Sequence, residues 1–237
     1  MLVARGLAES RARAQALILA GVVRSGEARV DKAGQMLAEN APLAVTGRDH
    51  PWVSRGGIKL AHGLAAFGFV AAERVCLDIG ASTGGFTDVL LANGAARVHA
   101  VDVGRGQLAW SLRNDPRVVV HESTNARYLG AEAIGEEVDA LVCDASFIGL
   151  ATVLPAPLAL CRAGAWAIAL VKPQFEAGPG AVGKGGVVRD PDIHQAVCER
   201  IRTWWAALPG WTVVGLEQSP ITGPEGNVEF LLGAIRS

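Results

Sequence analysis

The chain has no Cys-x-x-Cys pair, and its four cysteines (Cys76, Cys143, Cys161 and Cys198) are scattered. That excludes a redox dithiol or a zinc ribbon and leaves reduced thiols, three of them in or beside apolar runs, where free cysteine packs as core. The five histidines form no His-x-x-x-His pair and no cluster with cysteine, so no metal site is expected. An excess of charge is missing too. With a formal net charge of −1, the whole molecule is not an electrostatic glue for nucleic acid, and any basic surface must be local. No long apolar run is present either. "LPAPLALCRAGAWAIALV" is broken by Arg162, Gly164 and two prolines, whereas a spanning helix needs roughly 20 uninterrupted apolar residues. The N-terminal stretch "AQALILAGVV" is short and follows Arg11 and Arg13, unlike a signal peptide. These absences lead to the expectation of a cytoplasmic protein with no membrane partner. What is there is ordinary for a globular protein: 237 residues, half of them apolar and 19% charged. Such a chain can bury a full core, as one large domain or as a small one beside a larger one.

Two regions differ in grain. Residues 1–45 are rich in arginine: Arg5, Arg11, Arg13, Arg24 and Arg29, joined by Lys32. "SRARAQALILAG" reads as a helix, with Ser10 as its cap, Ala14, Leu17 and Ile18 as an apolar stripe and Gly21 as its stop. "VVRSGEARV" reads as a small hairpin turning at Ser25, Gly26 and Glu27. Proline and glycine in "APLAVTGRDHPW" mark a linker, placed at residues 46–53. From there to residue 237 strands alternate with helices. The expected strands are 74–80, 97–104, 117–123, 138–147, 166–175, 211–219 and 228–236. Mostly continuous apolar runs separated by helices imply a parallel sheet covered on both faces. The connection "PITGPEGN" is too short for a helical crossover, so the last strand should run antiparallel. Six parallel strands and one antiparallel strand resemble the methyltransferase variant of the Rossmann-like, doubly wound α/β fold.

"LDIGASTGGFT" follows the first of these strands and should open a helix. That turn lies at the carboxyl edge of the sheet, where ligands bind. A dinucleotide fingerprint, Gly-x-Gly-x-x-Gly, would need glycine where Ser82 stands, which argues against NAD. A turn made of Gly80, Ala81, Ser82, Thr83, Gly84 and Gly85 suits an adenosine ligand without a diphosphate, such as S-adenosylmethionine. Asp102, followed by Val103, ends the next strand 22 residues after Gly80, placed to accept hydrogen bonds from ribose hydroxyls. Asn125, after the third strand, is placed to reach the adenine. The plainer alternative is a tight turn with Asp102 capping a helix.

The fourth and fifth strands face the same crevice. Asp144 ends the fourth and Lys172 the fifth, both after apolar runs. An antiparallel last strand begins where the others end, which brings Glu229 to that edge. Lys59, in "SRGGIKLAHGLAAFG", sits on a helix just ahead of the first strand. Lys59, Asp144, Lys172 and Glu229 are thus expected to converge beside the methyl donor. A ribose hydroxyl is a poor nucleophile until a base takes its proton. A lysine serves only if its pKa falls, from about 10.4 to 7, worth on the order of 4–5 kcal/mol. Burial and a second ammonium are expected to push it down, while the carboxylates fix geometry. Taken singly, each charge has a plain reading as a snorkelling or edge-guarding residue; only the set is specific.

The chain resembles the TlyA family of ribosomal RNA 2′-O-ribose methyltransferases, often labelled haemolysins. The likeness spans nearly the whole chain. It rests on "LAESRARAQALI", "VSRGGIKL", "LDIGASTGGFTDVLL", "AVDVGRGQLAW", "CDASFI", "LVKPQFEAG", "VGKGGVVRD" and "SPITGPEGNVEFL". The resemblance implies an FtsJ-like, S-adenosylmethionine-dependent methyltransferase domain over residues 54–237. It places a Lys-Asp-Lys-Glu tetrad on Lys59, Asp144, Lys172 and Glu229, with Lys172 as base and Asp144 also beside the cofactor. It implies an S4-like α+β RNA-binding domain over residues 1–45, N-terminally short against the family's pattern, in which "MLVARGLAES" falls inside the first helix. Ribosomal RNA or ribosomal subunits are the implied partners. Arg5, Arg11, Arg13, Arg24, Lys184 and Arg189 are the expected RNA contacts, since guanidinium forks suit phosphates. A solvated helix face with Glu9 and Glu27 as partners is the alternative for the arginines. The glycine-rich segment 175–190 is expected to be a lid over RNA or a plain flexible loop. A noncatalytic RNA- or ribosome-binding protein, a membrane-active haemolysin, and a methyltransferase of small molecules or proteins are the other functional readings.

Overall fold

The computed structural model describes residues 1–8, 10–46, 50–183 and 185–237. The chain opens with hydrogen-bonded turns over residues 1–8 rather than with part of a helix. Helix α1 (Arg11–Leu19) follows, and Ser10 Oγ accepts the N–H of Arg13 at 3.1 Å, the cap expected for it. Gly21, at φ +73°, supplies the left-handed residue that ends the helix. Strands β1 (Val23–Ser25) and β2 (Ala28–Arg29) form the small hairpin. A third strand, β3 (Leu43–Val45), pairs antiparallel with β1 inside the stretch that reads as loop from its proline and glycine. Leu2, Ala8, Ile18, Val23 and Val30 make a small core of their own here. The chain then reaches Val53, whose N–H donates to Asp88 Oδ2 at 2.7 Å, pinning the end of the connection to the large unit.

The large unit begins with helix α2 (Gly56–Phe67), followed by β4 (Val75–Ile79), α3 (Gly85–Ala92), β5 (Arg97–Val101) and α4 (Trp110–Arg113). Strand β6 (Val118–His121), α5 (Ala131–Ile134), β7 (Val138–Cys143), α6 (Leu150–Val153) and α7 (Pro155–Ala159) continue the alternation. Strand β8 (Cys161–Val171), α8 (Pro173–Glu176), α9 (Pro191–Ala206), β9 (Trp211–Gln218) and β10 (Phe230–Arg236) complete it. The seven strands lie in the order β6-β5-β4-β7-β8-β10-β9. Strands β4 to β8 pair in parallel, and β10 runs antiparallel between β8 and β9. This is the Rossmann-like methyltransferase arrangement. Alternate residues of one strand feed opposite faces: Leu141 and Cys143 pack under α6, α7 and α9, whereas Ala140 and Val142 pack under α2 and α3. That two-sided burial is why the strands read as unbroken apolar runs.

Several strand boundaries depart from expectation, among them the end of β5, which stops at Val101 rather than 104. Strand β8 starts five residues earlier than the expected 166, at Cys161, and stops at Val171. Pro173 cannot continue a central ladder; it holds Lys172 extended (φ −113°, ψ 101°) and starts α8 instead. Strand β7 stops at Cys143, so Asp144 is the first residue beyond it. The chain order reverses between β4 and β7, and the switch point places the Gly80 turn beside Asp144.

Candidate active site

A cavity of about 410 Å³ opens at the carboxyl edge of the sheet, lined among others by Lys59, Gly80, Ser82, Asp144, Lys172 and Glu229. Its size falls within the usual range for small-ligand sites, about 300–1,000 Å³. Each of the four charges arrives on a different element. Lys59 projects from α2, Asp144 follows β7, Lys172 follows β8 and Glu229 precedes β10. Lys59 Nζ pairs with Glu229 Oε2, with both side chains almost wholly buried. Lys172 Nζ lies 2.7 Å from Asp144 Oδ1 and donates to Ser146 Oγ at 2.8 Å and to the Asp144 carbonyl at 3.2 Å. The ammonium thus makes two hydrogen bonds and one ion pair, since Asp144 Oδ1 lies at ion-pair distance without taking a hydrogen bond.

The electrostatics correct the expected fall of the lysine pKa. Burial pulls the Lys172 ammonium down, but the carboxylates of Asp144 and Glu229 outweigh it and hold the group above the usual lysine value. Burial pushes Asp144 up, yet Lys172 and Lys59 together hold it below the usual carboxylate value. The second ammonium fails to depress Lys172 because Glu229 already pairs with it.

The glycine turn fits an adenosine ligand. Gly80 stands at φ +81°, and a Cβ there would lie 3.0 Å from the backbone of Ala145. Gly84 stands at φ +95°, where a Cβ would strike Leu112 and Leu108. Ser82 lies in the left-handed region without being glycine (φ 49°), held by Asp102 Oδ2, which accepts its N–H at 2.8 Å. Asp102 Oδ1 accepts the N–H of Gly104 at 2.7 Å, so the carboxylate clamps two loops and keeps lone pairs free for hydroxyls. A second, narrow recess is lined by Ser82, Asp102, Gln107, Leu108 and Glu122, among others. Ala81, Thr83 and Gly85 line the main cavity. Asn125 and Val103 are not brought to either. Asn125 is exposed and spends its side-chain oxygen on the N–H of Arg127, capping a short 3-10 turn, and Val103 is 71% exposed.

The basic residues are spread more widely. Arg11 and Arg13 are exposed on α1, and Arg189 is exposed ahead of α9. Arg24 is half-buried and donates to the Glu27 carbonyl at 3.4 Å. Arg5 is exposed, and its guanidinium donates to the carbonyls of Ala41, at 2.6 Å, and Glu39. Lys184 lies outside the described residues. The glycine-rich segment 175–190 is tied down near its end, where Asn227 Oδ1 accepts the Val188 N–H at 3.0 Å and Asn227 Nδ2 donates to the Gly186 carbonyl at 2.9 Å. Among the described residues no cluster of His, Cys, Asp and Glu could hold a metal ion, and no helix is long and apolar enough to cross a membrane.

Three features in or beneath the site escaped sequence reasoning. Ser146 sits two residues beyond Asp144 and is the hydroxyl partner of Lys172. Phe147, 90% exposed at φ +65°, stands at the rim with its ring 5.0 Å from that of Phe175. Beneath the glycine turn, Asp78 is fully buried; Oδ2 accepts the Thr87 hydroxyl at 2.6 Å and Oδ1 has no partner. Burial pushes this carboxyl up to about 7. Its signal in the sequence was a lone acid inside an apolar strand.

Residues 52–236 match the family described as FtsJ-like methyltransferase. The chain belongs to the FtsJ-like methyltransferases. A Mycobacterium tuberculosis protein named "16S/23S rRNA (cytidine-2'-O)-methyltransferase TlyA" is 55% identical over 236 residues, covering 98% of this chain and 86% of that protein. "Hemolysin A" of Brachyspira hyodysenteriae is 38% identical over 227 residues, covering 95% of this chain and 94% of the relative. A solved structure from Streptococcus thermophilus, titled with the hemolysin label, is 41% identical with a TM-score of 0.79, covering 100% of this chain and 86% of its own. S-adenosylmethionine is the methyl donor of this FtsJ-like chain.

Proposed function

We propose that this FtsJ-like enzyme transfers a methyl group from S-adenosylmethionine to a ribose 2′-hydroxyl of bacterial ribosomal RNA, with Lys172 as the general base. The observation that carries the reading is the buried quartet Lys59–Glu229 and Lys172–Asp144 at the rim of the glycine-turn cavity. The 55%-identical relative named for cytidine-2'-O methylation of 16S and 23S rRNA supports the substrate. A ribosomal substrate would put the enzyme in the cytoplasm.

Lys172 Nζ is the group to accept the hydroxyl proton. Asp144 and Ser146 aim it, and the Lys59–Glu229 pair lies close enough for Glu229 to act on Lys172 and Lys59 on Asp144. Asp102 and the Gly80 to Gly85 turn would hold the adenosine end of the donor. S-adenosylmethionine supplies an electrophilic methyl on a sulfonium, and with it a positive charge. Beside such a charge the Lys172 ammonium sheds its proton more readily. The remaining work is positioning, which suits an in-line displacement. The small N-terminal unit, with Arg11 and Arg13 exposed, is the proposed S4-like RNA-holding arm. Shape and backbone contacts would dominate its grip on folded RNA.

The direct test is methyl transfer from labelled S-adenosylmethionine to unmodified bacterial ribosomal subunits, mapping 2′-O-methyl sites with Lys172→Ala alongside. Label at a discrete ribose, lost in the variant, is expected. Cofactor binding without transfer to any subunit would point instead to a noncatalytic ribosome-binding role.

A further inference from the structure

Arg55 stands one turn before Lys59 at the start of α2, and both side chains line the tetrad cavity. Its side chain is only 17% exposed. Its stem is fixed against the turn after α1: a Cβ on Gly21 would lie 3.1 Å from Arg55 Cδ. The head is poorly satisfied. A guanidinium has five N–H donors. Here Nη1 reaches Asp31 Oδ1 at 3.5 Å and Nη2 reaches the Thr222 carbonyl at 3.5 Å, both at the outer limit of a hydrogen bond. The same Asp31 oxygen already takes Arg29 Nε at 2.7 Å.

Every other charge at this wall has a close partner. Arg29 holds Asp31, Lys32 holds Glu225 at 3.2 Å, Lys59 holds Glu229 and Lys172 holds Asp144. Among the described residues Arg55 is the cation left over, half-enclosed and facing the cavity. An under-filled guanidinium in such a place is an anion site, and its planar fork matches a phosphate better than any other common anion of this substrate class. A ribose 2′-hydroxyl in an RNA chain sits on the carbon next to the one bearing the 3′-phosphodiester. Bringing that hydroxyl to Lys172 necessarily brings a phosphate into the same cavity.

We infer that Arg55 is a phosphate-binding residue that takes the phosphodiester flanking the target ribose. This rests on the reading of an RNA ribose as substrate. Arg55 lets go of its long contact to Asp31, which keeps Arg29, and closes on the phosphate. The site thereby prefers a nucleotide within a chain over a free nucleoside.

The experiment measures methyl transfer to unmodified bacterial ribosomal subunits by the full chain and by Arg55→Ala, Arg55→Lys and Asp31→Asn, with cofactor affinity measured by calorimetry. Arg55→Ala is expected to raise KM for subunits about tenfold, with the loss on KM rather than kcat. The log–log dependence of binding on salt is expected to flatten by about one unit, as for any lost phosphate contact. Arg55→Lys should recover part of the loss. Asp31→Asn frees the fork and should lower KM. An Arg55→Ala enzyme that matches wild type overturns the site. So does a loss of cofactor affinity in that variant, which would assign the guanidinium to the donor's carboxylate. Equal damage from Asp31→Asn and Arg55→Ala also overturns it, since the bridge between the two units would then be what matters. A wild-type chain that methylates no RNA would overturn the parent reading instead, and is told apart because every other outcome needs an active wild type.

Discussion

Lys59 and Glu229 lie 170 positions apart in the chain and meet as a buried ion pair. One sits on the helix that precedes the sheet and the other on the threshold of its last strand, so their contact exists only once β10 has slotted between β8 and β9. Removing one partner of a buried pair leaves an uncompensated charge, at a cost of about 3–5 kcal/mol. Glu229→Ala is therefore expected to lose stability on that scale in urea melts. The double variant Lys59→Met with Glu229→Leu should regain most of the stability and none of the methyl transfer. Recovery of both would remove the pair from the chemistry.

The raised value of Lys172 fixes how activity answers to pH. A base that is protonated at neutral pH limits the rate by its free-amine fraction, so log kcat/KM should climb with unit slope through neutral pH and beyond. kcat reports the complex carrying the cationic donor and should level off at lower pH. The same shift acts on stability. A lysine raised above its ordinary 10.5 contributes stability that is present below that value and fades as pH climbs through the folded value. Asp144, held below 3.8, contributes stability that is present above that value and fades as acid carries pH down through its folded value. A kcat/KM profile that is flat from pH 7 upward would exclude Lys172 as the titrating base.

Much of this site was legible because strand ends are legible. Asp144 and Lys172 each follow an apolar run, and the short "PITGPEGN" link forces the antiparallel return that brings Glu229 back. What was not legible depended on tertiary counting. The direction of the Lys172 shift turns on two carboxylates facing it and on Lys59 being already paired, which no spacing encodes. Strand β3 is three residues long and half-exposed, too short for any alternation to register. Asn125 was drawn to the adenine by its place after β6, but the nearby backbone N–H of Arg127 claimed it. Arg55 carries no signal in the sequence that sets it apart from the other cations; only the pairing of its neighbours does.

Asp78 is a carboxyl whose ionisation costs the fold. With its value raised to about 7 from an ordinary 3.8, the folded state resists losing a proton that the unfolded chain gives up readily. Stability should therefore fall as pH rises from 3.8 to about 7 and then hold, a loss of at most about 4 kcal/mol. Asp78→Asn keeps the acceptor for the Thr87 hydroxyl and removes the charge. Thermal melts should find this variant more stable than wild type above pH 7, with the gap closing toward pH 4. A gap that is independent of pH would mean that Asp78 does not ionise across this range.

Gly80 joins the two halves of the site, since its N–H donates to the Val101 carbonyl at 2.9 Å while its α-carbon faces the first residues beyond β7. A side chain there meets two obstacles at once. Its φ of +81° is strained for any L residue with a Cβ, and that Cβ would press on the Ala145 backbone at 3.0 Å. The relief is a shift of the segment 144–146, which carries the carboxylate and hydroxyl that aim Lys172. Gly80→Ala is thus expected to cost about 1–3 kcal/mol in stability and a larger factor in kcat, because positioning errors weigh more on the reaction than on the fold. Urea melts beside single-turnover methyl transfer would separate the two. Gly94→Ala is the control, at a similar φ of +82° but with only Ala72 nearby, at 3.5 Å, and away from the cavity. It should lose stability and keep its single-turnover rate. Equal rate losses in both variants would show that left-handed strain alone, rather than displacement of Asp144 and Ser146, accounts for the effect.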